Sequence, residues 1–94
     1  MTSFSVLEMD VIREAESRNM LRDQTLHSLL VNFGPIFEQM MEAERCNDDE
    51  LLINTVGASL VLLTLIAAKT DLNLVTCFAR ASEGFINHQA EFDV

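Results

Sequence analysis

An uncharged stretch of eighteen residues, from Leu51 to Ala68, constrains the fold of this chain more than any other feature. The stretch approaches the length needed to cross a membrane. Short polar side chains interrupt it, at Asn54, Thr55, Ser59 and Thr64, and no basic loop flanks it. These interruptions favour a central helix that is buried on most sides over a membrane span.

The chain is too short to bury such a helix by itself. Its 94 residues form one domain, spanning residues 1–94. Hydrophobic residues make up 49% of the chain, which is more than a small monomer easily hides. We therefore expect a homo-dimer or tetramer in which a second copy completes the core.

Charge and cysteine content narrow the possible partners and the compartment. The net charge is −9, and this acidity argues against nucleic-acid binding, which requires clustered Lys and Arg. It permits a basic protein partner. Cys46 and Cys77 have no metal-binding spacing, so we expect reduced thiols in a cytoplasmic protein. We expect no signal peptide, because the first residues lack a basic region followed by an apolar one.

Apolar periodicity predicts an all-α fold of four helices, at about residues 3–18, 25–45, 49–68 and 73–90. In the first helix the inward residues are expected to be Phe4, Leu7, Val11 and Ala15. Pro35 cannot donate a hydrogen bond to the carbonyl of Val31, so a kink or break is expected at Gly34-Pro35. The second and third helices should form an antiparallel hairpin closed by a tight turn near Asn47. Cys77 is expected to be a buried thiol.

Two glycines, Gly34 and Gly57, mark a resemblance in the second and third helices. The segments around them, 29–38 and 54–61, are similar to the two metal-binding helices of MazG-like nucleotide pyrophosphohydrolases. In that family the first helix carries an E-E-x-G-E run and the second an E-x-G-D run. Here the matching carboxylate positions hold Asn32, Pro35, Thr55 and Ala58.

The resemblance implies a four-helix MazG-like bundle that has lost its magnesium site. Glu83 lies where the family tends to carry a basic or amide residue near the nucleotide phosphates, and a carboxylate there would repel them. The resemblance therefore implies a pseudoenzyme with no catalytic residues, no metal and no cofactor. It also implies a dimer or a dimer of dimers, used as a binding module or as an accessory protein of a phage or mobile element.

Two alternatives remain open from the sequence. The first is a divergent nucleotide pyrophosphohydrolase whose magnesium site has moved to Glu38, Glu42 and Asp48, which we expect near the hairpin turn. The second is an acidic regulator that binds a basic protein. Asn32, Thr55 and Ser59 could also line a pocket for a small molecule that needs no metal. His27 and His88 have no partners at ligand spacing, so both are expected on helix surfaces.

Overall fold

A computed structural model of the chain describes residues 3–87. Within this range the chain forms helices and no strand, which confirms the all-α prediction. The helices are α1 (Phe4–Ser17), α2 (Met20–Asp23), α3 (Leu26–Val31), α4 (Phe33–Cys46), α5 (Asp49–Lys69) and α6 (Leu74–Ile86). The predicted number of four is wrong, because α2 forms in the segment expected to be a polar break and the second helix is divided into α3 and α4. The predicted end of the last helix, near residue 90, lies outside the described residues.

Local hydrogen bonds set where four of the helices begin. The residue before each of these helices accepts a hydrogen bond through its side-chain oxygen from the backbone N–H three positions later, at 3.0 to 3.2 Å. These capping residues are Ser3 before α1, Thr25 before α3, Asp48 before α5 and Asn73 before α6. Each bond satisfies one of the N–H groups that a helix start leaves without a partner, so the starts follow directly from the sequence.

Three residues in the left-handed region reverse the chain after helices. They are Asn19, Asn47 and Asp71, with φ of 58°, 52° and 58°. Asn and Asp tolerate this conformation better than other non-glycine residues do. Asn47 and Asp48 alone join α4 to α5, and these two helices share the largest interhelical contact. They form the helical hairpin that was predicted for the second and third helices.

The predicted break near Gly34-Pro35 is confirmed. α3 ends at Val31 and α4 begins at Phe33, so one helix is interrupted at Asn32. Pro35 lies in the first turn of α4, where a missing N–H leaves no hydrogen bond unmade. After the break, the rings of Phe33 and Phe37 stack with centroids 5.4 Å apart.

The core is small for a chain this apolar. Leu29, at 2% exposure, is the largest side chain that is fully buried in the described residues. It packs with Ala15, Leu62 and Leu65, and the residues around this cluster are Val11, Met20, Leu21, Phe33, Ile36 and Ile66. Twenty large apolar side chains are exposed in the described part of the chain, against seven buried apolar residues. The helices of one chain therefore leave much of the apolar surface uncovered.

α5 contributes most to this uncovered surface. Only 28% of its most apolar eighteen-residue window is buried, so the described part of one chain leaves most of this window uncovered. Too few helices surround α5 to cover it. By length and composition alone α5 could cross a membrane, a test that the core helices of soluble proteins also pass.

Two hydrogen bonds between distant segments hold the outer helices in place. The Glu8 carboxylate accepts one from the backbone N–H of Leu74 at 2.8 Å, which ties α1 to the start of α6. The Lys69 ammonium donates one to the carbonyl of Leu21 at 2.6 Å, which ties the end of α5 to α2. The side chains of Glu8 and Lys69 therefore each connect two helices.

Candidate functional site

The four positions predicted from the resemblance to correspond to metal ligands do not form a set of ligand atoms. Thr55 is 2% exposed, and its hydroxyl donates to the carbonyls of Leu51 and Leu52 at 3.0 and 3.1 Å. Asn32 is exposed and its amide donates to the carbonyl of Ser28 at 3.2 Å. Pro35 and Ala58 are exposed and have no side-chain oxygen.

These residues do not fit a magnesium ion. Mg²⁺ is held in proteins by hard oxygen ligands that include carboxylates, because neutral oxygens alone do not offset its dehydration. The one hydroxyl of the set, that of Thr55, already bonds within its own helix. The nearby Ser59 hydroxyl likewise donates to the carbonyl of Thr55 at 2.9 Å. The hydroxyls of Thr55 and Ser59 thus bond within α5 and form no metal site together.

Two of the three acids of the alternative metal site, Glu42 and Asp48, are already bonded to other groups. Glu38 and Glu42 lie on an exposed face of α4 together with Arg45. Asp48 caps α5, with its carboxylate 3.0 Å from the backbone nitrogen of Leu51. Among residues 3–87 no group of three or more His, Cys, Asp or Glu side chains is placed to hold a metal ion. The structure therefore does not bring the three predicted acids together.

Glu42 instead organises a small charged cluster at the end of α4. It pairs with Arg45, and it accepts a hydrogen bond from the Cys46 thiol at 3.1 Å. The Arg45 hydrogen bond, followed by that of Cys46, holds the pKa of Glu42 below its ordinary value. In the opposite direction, the hydrogen bond to Glu42 and its negative charge raise the pKa of Cys46. Cys46 therefore carries less thiolate than a free cysteine and is a weaker nucleophile.

The remaining predicted residues lie on the surface or outside the described range. His27 and Glu83 are exposed. Cys77 is exposed as well, so its prediction as a buried thiol is wrong. Its part of α6 contacts too little of the bundle to cover it, since only Leu74 and Gly84 of that helix are buried. His88 lies outside the described residues.

The most distinctive surface of the chain is apolar. On α5 the side chains of Leu52, Ile53, Val56 and Leu63 are all exposed, and Ile53 is exposed at 64%. At 100° per residue these positions fall on one side of the helix, within a face about 100° wide. We refer to these four residues as the α5 stripe. A face of this width normally packs against the core of a globular protein, and here the described part of the chain covers it only in part.

A second apolar surface lies between α1 and α5. Two adjoining hollows of about 300 and 350 Å³ share Asp10, Val11 and Val61. Together they run along α1 from Phe4 to Arg18, and we call them the α1–α5 groove. This groove was not predicted from the sequence. Its only signal was the Phe4, Val11, Ala15 periodicity, which predicted one buried face and could not show that α5 would cover it incompletely.

A third hollow, of about 480 Å³, lies between α1 and α6 and is lined by Phe4, Val75 and Phe78 among others. Like the α1–α5 groove, it is bordered mainly by apolar side chains.

No protein family, curated protein or solved structure matches the chain significantly.

Proposed function

We propose that this chain is a catalytically inactive MazG-like domain that acts as a self-associating interaction module. The observation that carries the proposal is the α5 stripe, an apolar helix face whose side chains stay 38% to 64% exposed in the described part of one chain. Contiguous apolar surface of this kind marks interaction sites in soluble proteins. In this proposal the protein is cytoplasmic, its thiols stay reduced, and its role is accessory, as in a phage or mobile element.

Self-association through the α5 stripe is supported by the charge distribution. The segment Leu51–Ala68 carries no charged residue, so two copies of α5 can approach without bringing acids together, despite the net charge of −9. α5 has 21 residues and is therefore about 31 Å long, which is long enough for an extended helix pair. We propose a homo-dimer built on this contact, with the hollow between α1 and α6 available for assembly to a tetramer.

Loss of catalysis is supported by the chemistry of the matched positions. Asn32, Pro35, Thr55 and Ala58 supply no carboxylate, and the Thr55 hydroxyl is buried and bonded within α5. Without metal ions, a water molecule would have to attack the triphosphate near its bulk acidity and without charge neutralisation of the leaving group. Glu83 adds a negative charge where the resemblance places a phosphate contact.

The first test is the oligomeric state of the full chain. Sedimentation at micromolar concentration should show a dimer or tetramer, and Val56→Glu should give a folded monomer because it places a charge in the α5 stripe. Leu72→Glu is the matched control, since Leu72 is also exposed and lies in the turn after α5. A monomeric wild-type protein would contradict the proposal.

The second test is nucleotide hydrolysis. We expect no release of pyrophosphate from common nucleoside triphosphates with Mg²⁺ or Mn²⁺ above the rate without protein. Neither ion should shift the melting temperature. Magnesium-dependent release that Glu38→Gln or Asp48→Asn abolishes would overturn the pseudoenzyme proposal and support the displaced metal site.

A further inference from the structure

The α1–α5 groove combines an apolar floor with acids along one edge. Val11, Val61 and Leu65 form the part of its lining that we call its apolar floor, and the charged residues Asp10, Glu14 and Arg18 also belong to the lining. These two acids are four residues apart on α1, so they lie on the same side of that helix, about 6 Å apart along its axis. Glu8 also lines the groove, but its carboxylate already accepts the hydrogen bond from Leu74.

Basic residues in the neighbourhood neutralise these acids only weakly. Arg13 lies 3.8 Å from Asp10 and Arg18 lies 2.9 Å from Glu14, and both pairs are exposed to solvent. Exposed ion pairs of this kind contribute little, because water screens them and long side chains lose freedom. Over the whole chain acids outnumber bases by fifteen to six, so the approach of a cationic partner is favoured at long range.

We infer that the α1–α5 groove is a docking site for a basic amphipathic helix of another protein. The apolar residues of the partner helix pack on the floor of the groove. Its Lys or Arg residues, spaced four apart, pair with Asp10 and Glu14. The groove follows α1 over about 21 Å, which matches a partner helix of about fourteen residues. This inference rests on the proposed interaction function and adds to it a partner chemistry and a second surface, which adjoins the α5 stripe at the exposed side chain of Leu60.

A second copy of this chain does not fit the groove. Its Lys and Arg residues are Arg13, Arg18, Arg22, Arg45, Lys69 and Arg80. No helix of the described structure carries two of them four residues apart. α5, the most apolar helix, has no charge between Leu51 and Ala68 and would leave Asp10 and Glu14 unpaired. Self-association therefore fits the α5 stripe, and a basic partner fits the groove.

The probe for the test is a labelled fourteen-residue helical peptide of Leu and Lys, with lysines four apart along one edge. Fluorescence anisotropy with the full chain should show binding that weakens as salt is raised. The double variant Asp10→Asn/Glu14→Gln should bind about three- to tenfold more weakly. Val61→Asn should also weaken binding, since it places an amide on the apolar floor. A Leu/Glu peptide with the same pattern should not bind.

Glu38→Gln/Glu44→Gln is the matched control, because it removes the same two charges from α4, away from the groove. If both double variants weaken binding equally, the peptide responds to net charge and the inference is overturned. Absence of peptide binding to wild-type protein also overturns it, while the proposed function stands if Val56→Glu still abolishes self-association. Peptide binding by a wild-type monomer supports the groove and contradicts the proposed dimer.

Discussion

Glu8 shows how one buried acid can organise two helices. It is 7% exposed, and its carboxylate accepts the hydrogen bond of Leu74, the first residue of α6. A negative charge at a helix start is favourable, because the first N–H groups of the helix have no internal partner and carry its positive dipole end. Leu7, predicted to point inward, is 52% exposed instead. Glu8 faces inward because the first N–H of α6 requires a hydrogen-bond acceptor, which the side chain of Leu7 cannot supply.

Replacing Glu8 should therefore destabilise the fold. Glu8→Ala leaves the buried N–H of Leu74 without a partner, and the expected loss in unfolding free energy is about 1–3 kcal/mol. Glu8→Gln keeps an acceptor oxygen and loses only the charge, so about 0.3–1 kcal/mol is expected. Urea unfolding measures both. Glu16→Ala, an exposed acid on the same helix, should be nearly neutral. Equal effects at both positions would rule out a specific role for Glu8.

The cluster of Glu42, Arg45 and Cys46 gives a prediction about reactivity. Glu42 raises the pKa of the Cys46 thiol, so at a fixed pH less thiolate is present and alkylation is slow. In a Cys77→Ser background, Glu42→Gln should speed alkylation of Cys46 by iodoacetamide and move its pH profile to lower pH. Glu44→Gln changes a neighbouring acid that makes no hydrogen bond with the thiol, and should have a smaller effect. An unchanged rate in Glu42→Gln would contradict the hydrogen bond.

At the scale of the helices, α5 is bonded at both ends, while one side of its middle packs in the core and the other stays exposed. Asp48 caps its start, and Lys69 at its end donates to the carbonyl of Leu21. Between them, the α5 stripe and Gly57 are exposed. The exposed side of α5 is therefore a place where helix propensity and contacts with other molecules can add to stability.

A substitution at Gly57 measures how much helix propensity contributes to stability in the exposed part of α5. Its φ is negative, and a Cβ built on it meets nothing within 4 Å, so alanine fits without strain. Gly57→Ala should raise the unfolding free energy by about 0.5–1 kcal/mol, because alanine loses less backbone freedom in a helix. Gly34→Ala, at the start of α4, should gain less. A loss of stability in Gly57→Ala would mean that another backbone packs closely against α5 in the assembled protein.

At the scale of the whole molecule, apolar surface exceeds what one chain can bury. The buried apolar residues are few, and three of the seven in the described range are alanines, at positions 15, 43 and 67. A core this small gains little free energy from hydrophobic burial, which is the main force that favours folded proteins. The proposed dimer would add burial along α5, so folding and association should be coupled.

Coupling makes stability depend on protein concentration. For a dimer that unfolds to two chains, the melting temperature should fall by roughly 3–6 °C for each tenfold dilution. Val56→Glu, which charges the α5 stripe, should melt at a lower temperature that no longer depends on concentration. Calorimetry over a hundredfold concentration range measures both. A wild-type melting temperature that does not change with dilution would contradict coupled folding and association.

The sequence by itself determined where helices begin and where one of them breaks. The helix starts at Thr25, Asp48 and Asn73 depend on hydrogen bonds to residues three positions away, and the break before Pro35 depends on an N–H that proline lacks. The absence of carboxylates at Asn32, Pro35, Thr55 and Ala58 was also visible, since it concerns residue types. Such features need no knowledge of distant segments.

Only the tertiary structure decided which faces are buried. Glu8 lies inward because it meets Leu74, 66 positions further along the chain. Cys77 and the α5 stripe are exposed because too few helices surround α6 and α5 to cover them. A periodic pattern shows that a helix has an apolar face. What covers that face depends on the packing of all the helices together, because burial is set by neighbours that are distant in sequence.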